Sequence, residues 1–149
     1  MSEPRIVTQF SVFLVNKPGV LAQVTGALAD EKINLLAMTL VDSQEHGVLR
    51  FVPEDPLPAR QVIAKLNLPT TETEVLCMEL SNHPGALADI ATTLGKNHII
   101  INYAYVTSGA PGGRTTGIFK VGDMNKAQKV LKLAAPKHKE TTGRRQTRR

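Results

Sequence analysis

Apolar residues follow two different spacings in the first part of the chain. The segment from Ile6 to Val15 is rich in β-branched and aromatic residues, which is typical of a β-strand, and it ends at the turn sequence Asn16-Lys17-Pro18-Gly19. Beyond the turn, apolar residues recur three and four positions apart from Val20 to Leu28. This spacing predicts a helix of about three turns that packs one face on a sheet.

The next apolar segments predict a hairpin and a second helix. Ile33 to Val41 and Val48 to Val52 are the two predicted strands of the hairpin. Asp55 and Pro56 then supply the N-cap and the first turn of a helix. A further strand is predicted from about Thr70. The unit therefore has the order strand, helix, strand, strand, helix, and continues into another strand.

The chain contains this unit twice. A shift of 66 positions aligns Pro18-Gly19 with Pro84-Gly85. After a two-residue insertion, a shift of 68 aligns Phe51 with Phe119 and Asp55 with Asp123, which should cap the equivalent helix. The order of elements is the split βαβ pattern of ferredoxin-like folds, βαββαβ, and predicts an α+β fold. The predicted modules are residues 5–68 and 69–135, followed by a basic, disordered tail at 136–149.

The second module lacks a convincing fourth strand. Leu133-Ala134-Ala135-Pro136 runs directly into the basic tail. The open edge of its sheet is therefore expected to pair with a neighbouring chain, which favours a homodimer.

The formal charge of +5 is concentrated in the tail. Residues 137–149 carry six basic residues and one acidic residue, whereas residues 1–136 carry twelve of each. The predicted body is thus formally neutral and gives no indication of a phosphate-binding face. For the tail two interpretations stay open: a weak, salt-sensitive attraction to nucleic acid, acidic partners or membranes, or a merely solvated terminus.

Other classes of function lack their characteristic residues. No apolar run approaches the roughly 20 residues that cross a bilayer, and no signal peptide is recognisable, so a cytoplasmic location is expected. Cys77 lies in an apolar segment and is expected to be a buried structural thiol. The sequence shows no metal-ligand spacing, activated nucleophile, pair of catalytic carboxylates or phosphate-cradling loop. We therefore predict no enzymatic activity, no cofactor and no metal site.

The two strand-to-helix turns are the best candidates for a binding site. Each leads into a helix N-terminus, where unpaired N–H groups and the helix dipole attract an anion. Glycine removes the Cβ that would keep a ligand from the backbone, and an asparagine amide can meet both a carboxylate and an ammonium. A free α-amino acid carries both groups. The alternative is a turn that only ends one strand and starts one helix.

The chain resembles the ACT domain, a small regulatory module of amino-acid metabolism, over residues 6–133. The resemblance is carried by Asn-x-Pro-Gly-x-Leu-Ala, by the apolar helix that ends near Leu28 or Leu94, and by Ile33-Asn34-Leu35. It implies tandem modules whose sheets pair side by side with helices on one face. It also implies that a free amino acid binds between modules, against the loop of one and the second strand of the other, and signals to a metabolic enzyme or regulator.

Matching positions give the residues that the resemblance implies. The first loop contributes Asn16, Lys17, Gly19, Val20 and Leu21; the second contributes Asn82, His83, Gly85, Ala86 and Leu87; the second strands contribute Leu36 and Asn102. The second copy has Ile100 where the first has Asn34, so the two sites need not be equivalent. Two other functions stay open, namely a small nucleic-acid-binding protein that acts through its tail and a ligand-free structural subunit of a metabolic enzyme.

Overall fold

The computed structural model describes residues 3–15, 17–42, 46–81, 83–108 and 115–134. The predictions for Asn16, Asn82 and the basic tail lie outside these residues. The elements are β1 (Arg5–Val15), α1 (Val20–Asp30), β2 (Leu35–Asp42), β3 (His46–Pro53), α2 (Pro56–Lys65), β4 (Thr70–Leu80), α3 (Ala86–Lys96), β5 (Ile101–Ser108), β6 (Thr115–Val121) and α4 (Met124–Ala134). The predicted order of strands and helices is confirmed.

Helix ends explain the main differences in element bounds. The Ile33 N–H donates to the Leu28 carbonyl at 3.0 Å, so Ile33 closes α1 instead of beginning β2. Ile99 closes α3 in the same way, through a bond to the Leu94 carbonyl at 3.0 Å. Residue Lys32, directly before Ile33, has the left-handed φ of 56° that this helix ending requires.

The predicted caps of α2 and α4 are confirmed. The Asp55 carboxylate accepts a hydrogen bond from the Leu57 N–H at 3.0 Å, with Pro56 at the first helical position. The Asp123 carboxylate accepts from the Lys126 N–H at 3.1 Å. Each helix therefore has a side-chain acceptor for one of its first backbone donors.

One six-stranded sheet joins the two halves, in the order β2-β3-β1-β4-β6-β5. All neighbouring strands are antiparallel. The central strands β1 and β4 pair from Val12 with Thr70 to Arg5 with Cys77. The C-terminal part of β1 also pairs with β3, and that of β4 pairs with β6. Each central strand thus takes part in both halves of the sheet.

The prediction that the second module leaves its fourth strand position open is wrong. In a ferredoxin-like sheet that position lies beside the first strand of the module, which here is β4. The N-terminal part of β1 occupies it, just as β4 occupies the equivalent position beside β1. A partner chain is therefore not needed to complete the second module, and the case for a dimer has to rest on another feature.

The helices cover one face of this sheet, as predicted. Even-numbered residues of β1 pack under α1 and α2 with Leu49 and Phe51 of β3. The Phe10 and Phe51 rings stack there at 5.3 Å between centroids. Even-numbered residues of β4 form a second core with Phe119 under α3 and α4. The repeated sequence thus builds two equivalent cores on one continuous sheet.

The opposite face is buried by the curl of the sheet. The edge strands β2 and β5 contact each other across this face. A third cluster of buried residues lies between them, formed by Ala37, Val52, Val75, Cys77 and Ile118. Because a sheet face without helices needs another cover for its apolar side chains, the curl supplies the burial that a third layer would otherwise give.

Candidate functional site

The first candidate loop joins β1 to α1. Gly19 is the N-cap of α1 and has the left-handed backbone conformation φ 89°, ψ −9°. Glycine adopts this conformation without steric cost, and it offers no side-chain acceptor to the first N–H groups of the helix. Lys17 is exposed at the start of the loop. The loop therefore places a lysine three residues before a helix whose N-cap residue makes no side-chain hydrogen bond to the first N–H groups.

The second candidate loop repeats the same backbone. Gly85 is the N-cap of α3 with φ 91° and ψ −13°, again without a side-chain cap. The exposed His83 occupies the position of Lys17, with its Nδ1 2.8 Å from the Pro84 carbonyl oxygen. Ala86 is buried and Leu87 is half exposed. The two N-cap glycines thus share a conformation, whereas the exposed side chain at the start of the loop is Lys17 in one and His83 in the other.

A cavity of about 240 Å³ lies beside the first loop. Its lining residues are Leu14, Val15, Lys17, Val20, Leu21, Leu40, Val41, Asp42 and Gly47. Three residues predicted from the loop, Lys17, Val20 and Leu21, therefore meet at one crevice. The wall from β2 and β3, which includes Asp42, was not predicted from the sequence. The signal was available, because Leu40 and Asp42 share a face of a strand that ends next to the loop.

The two predicted second-strand residues lie away from this crevice. Leu36 packs against the buried cluster on the helix-free face, with Ala37 and Val52. Asn102 is exposed near the start of β5. The part of β2 that does line the cavity is its C-terminal end, residues Leu40–Asp42.

A polar network lies on the helix-free face. The fully buried Gln9 of β1 donates from its amide nitrogen to the Tyr103 hydroxyl and accepts from the Tyr105 hydroxyl, both at 2.7 Å. The Arg50 guanidinium lies 4.3 Å from the centre of the Tyr103 ring. Burial raises the pKa of Tyr105 well above its usual value. The network links β1 and β3 to β5, so it joins the first half of the chain to the second.

A second cavity, of about 300 Å³, lies between α2 and β4. Arg60 and Glu72 line it and form a two-pronged ion pair, with Arg60 Nε 3.1 and 3.0 Å from the two carboxylate oxygens. This hydrogen bonding lowers the pKa of Glu72 and raises that of Arg60. Both side chains are exposed to solvent, so the pair adds little to stability.

Cys77 is buried, as predicted, and burial raises the pKa of its thiol. Among the residues that the structure describes, no group of three or more His, Cys, Asp or Glu side chains is arranged to hold a metal ion. Within the same part of the chain, no helix is long and apolar enough to span a membrane.

Comparison with known proteins places this fold in a family. The sequence pattern described as an ACT domain pair matches residues 5–140. Protein BT0572 from Bacteroides thetaiotaomicron, whose crystal structure is known, is 30% identical, with a TM-score of 0.81 over 90% of this chain and 92% of that one. No curated protein matches the chain.

More distant structures share the fold. The ligand-free regulatory subunit of aspartate kinase from Thermus thermophilus is 13% identical, with a TM-score of 0.62 over 89% of this chain and 97% of that one. E. coli aspartokinase III in complex with lysine and aspartate is 18% identical, with a TM-score of 0.52 over 92% of this chain and 32% of that one. Because the family pattern spans residues 5–140 and so covers both halves of the sheet, the chain belongs to the ACT domain family and consists of a pair of ACT domains.

Proposed function

We propose that the protein is a regulatory sensor that binds a free amino acid at its strand-to-helix loops. The observation that carries the proposal is the cavity beside the first loop, which places Lys17 and Asp42 around the N-terminus of α1. An α-amino acid needs a positive region for its carboxylate and an acceptor for its ammonium. The cavity offers both within one crevice.

The carboxylate is expected to lie at the N-terminus of α1. The first N–H groups of a helix have no partner within the helix and carry its positive dipole end. Lys17, which lines the same cavity, adds a full positive charge. The Asp42 carboxylate, at the end of β2, is then the natural partner for the ligand ammonium.

We also assign a second, non-equivalent site to the loop of His83 and Gly85. The backbone angles of its N-cap Gly85 match those of Gly19 within a few degrees. The second loop presents the His83 ring where the first presents the Lys17 ammonium. The two sites are therefore expected to differ in affinity.

A second copy of the chain is the proposed neighbour at the first site. The crevice is bordered by β2, which is an outermost strand of the sheet. Met38 and Leu40 on this strand are 38% and 48% exposed. An exposed apolar edge strand readily pairs with another strand. Pairing of two copies through β2 forms a homodimer and places the ligand at a seam between modules.

Ligand occupancy is proposed to act on a partner enzyme or regulator in the cytoplasm, with no catalysis by this chain. The regulatory subunit of aspartate kinase, which shares the fold, is an example of such a module acting on an enzyme. The two candidate loops follow β1 and β4, which pair with each other at the centre of the sheet, so a ligand at either loop lies next to a strand that takes part in both halves.

Thermal unfolding in the presence of each of the twenty amino acids tests the proposal. A ligand at about 100 times its dissociation constant adds about 2.7 kcal/mol, which raises the midpoint by roughly 5–10 °C. Lys17→Glu is expected to abolish the stabilisation by reversing the charge beside the cavity. Lys65→Glu, the same charge change at the exposed end of α2, is the matched control and should retain it. Failure of all twenty amino acids to stabilise the wild type would contradict the proposal and favour a structural subunit.

The basic tail supports one alternative function, binding of nucleic acid. Its six basic residues hold the whole net positive charge of the chain. Deletion of residues 137–149 separates the two functions. If the protein is a sensor, the truncated chain should still bind the amino acid but should no longer bind nucleic acid at low salt.

A further inference from the structure

The described lining of the cavity beside the first loop is mainly aliphatic. Apart from Lys17, Asp42 and Gly47, the described residues that line it are Leu14, Val15, Val20, Leu21, Leu40 and Val41. The two charged residues match the backbone groups of an amino acid. Among the lining residues that the structure describes, only Lys17 and Asp42 have a side-chain hydrogen-bond donor or acceptor that could meet a polar group of the ligand side chain.

Glycine at position 47 keeps the apolar side of this cavity open. A Cβ built on Gly47 would lie 3.7 Å from Leu40 Cδ1 and 4.0 Å from Leu14 Cβ. Both are cavity residues, so a side chain at position 47 would project among the walls that the ligand side chain would contact. These distances are ordinary van der Waals contacts, so a small side chain fits there without displacing its neighbours.

We propose that the first loop selects amino acids with branched aliphatic side chains: valine, leucine and isoleucine. This inference rests on the proposed function and specifies its ligand. Apolar walls gain free energy by covering a hydrocarbon side chain, whereas a hydroxyl, ammonium or carboxylate placed against them loses its water without finding a partner. The protein thus uses Lys17 and Asp42 for the part common to all amino acids, and the aliphatic walls for discrimination.

Valine and threonine provide the sharpest comparison, because they have nearly the same shape and differ by a methyl against a hydroxyl group. Titration calorimetry of the full chain should show threonine binding roughly 10- to 100-fold more weakly than valine. Lysine and aspartate should be rejected at least as strongly. If threonine, lysine or aspartate binds as tightly as valine and Lys17→Glu removes that binding, the aliphatic selectivity is overturned while the proposed function stands.

Substitutions of Gly47 test the placement of the ligand side chain. Gly47→Val should weaken leucine binding at least tenfold, because it fills the space among Leu14 and Leu40, and should weaken alanine binding much less. Gly47→Ala adds only the Cβ and should produce a smaller effect in the same direction. Gly95→Ala, at an exposed helical position with no atom within 4 Å of the added Cβ, is the control.

These experiments distinguish a wrong side-chain pocket from a failure of amino-acid binding as a whole. Equal losses for leucine and alanine in a folded Gly47→Val protein would overturn the assignment of the side-chain pocket. Circular dichroism establishes that each variant is folded, and Gly47→Ala provides the second reading if Gly47→Val is not. Absence of binding by every amino acid would instead overturn the proposed function together with this inference.

Discussion

At the scale of single residues, the polar network of the helix-free face is the most specific arrangement in the molecule. Gln9 is fully buried, and both ends of its amide are used by Tyr103 and Tyr105. Buried polar groups that are fully paired favour one packing arrangement, whereas a partly paired group costs free energy. Gln9 therefore fixes how β5 meets β1 across the curled sheet.

Replacing Gln9 by leucine should lower the free energy of unfolding by about 2–3 kcal/mol, because two tyrosine hydroxyls lose their buried partner. Urea denaturation measures the loss. The variant that combines Gln9→Leu with Tyr103→Phe and Tyr105→Phe should recover part of it, since the two hydroxyls that Gln9 had paired are then removed. A triple variant less stable than Gln9→Leu would argue against this account of the network.

Tyr105 should make stability fall in alkaline solution. Burial raises its pKa in the folded state above the value of 10.0 expected for the unfolded chain. Folding therefore favours the neutral phenol: the stabilisation is fully present below pH 10.0 and is lost as the pH rises above it. Between pH 9 and pH 11, the Tyr105→Phe variant should lose less stability than the wild type in urea denaturation. Identical pH dependence would contradict the raised pKa.

At the scale of elements, left-handed residues mark both ends of the helices that follow the two loops. Gly19 and Gly85 begin α1 and α3, whereas the non-glycine residues Lys32 and His98 follow their C-caps with φ 56°. Left-handed backbone costs an L-residue roughly 1–2 kcal/mol and costs glycine almost nothing. The helix starts are thus relaxed, and the helix ends retain local strain.

Introducing glycine at the end of α1 and removing it at the start should therefore change the free energy of unfolding in opposite directions. Lys32→Gly should raise the free energy of unfolding by about 0.5–1 kcal/mol, because glycine relieves the left-handed strain but has more entropy in the unfolded chain. Gly19→Ala should lower it by about 1–2 kcal/mol, although no atom lies within 4 Å of the added Cβ. Urea denaturation checks both, and stabilisation by Gly19→Ala would contradict the assignment.

The same helix ends show what sequence can reveal. Periodicity, the caps Asp55 and Asp123, and the repeated Pro-Gly turns predicted every helix and strand in the right order, because these signals are local. Lys32 and His98 end their helices without the usual glycine, so the sequence pattern predicts strand for the residues directly after them. Two features depend on which strands become neighbours in the sheet. They are the cavity wall at Asp42 and the place of β1 beside β4 in the second half. Local sequence signals do not determine such long-range neighbours.

At the scale of the whole molecule, the two halves are joined by strands that they share. The halves have separate cores under their own helices, yet β1 and β4 each contribute to both halves of the sheet. Loss of either half would leave the other with an unpaired central strand. The halves are therefore expected to unfold as one cooperative unit in spite of their separate cores.

Equivalent core substitutions test this cooperativity. Leu28 and Leu94 occupy matching positions of α1 and α3 and are 2% and 0% exposed. Leu28→Ala and Leu94→Ala should each lower stability by about 2–5 kcal/mol and shift one single unfolding transition. Two separated transitions in either variant, seen by circular dichroism during heating, would show that the halves unfold independently.

The most direct test of the account is a spectrum that reports every backbone amide at once. In ¹H–¹⁵N correlation spectra titrated with L-leucine, we expect the earliest and largest shifts at Lys17, Gly19 to Leu21 and Leu40 to Asp42, around the crevice at the start of α1. Shifts confined to another surface, or an unchanged spectrum with leucine and with every other amino acid, would contradict the claim that this crevice receives the ligand.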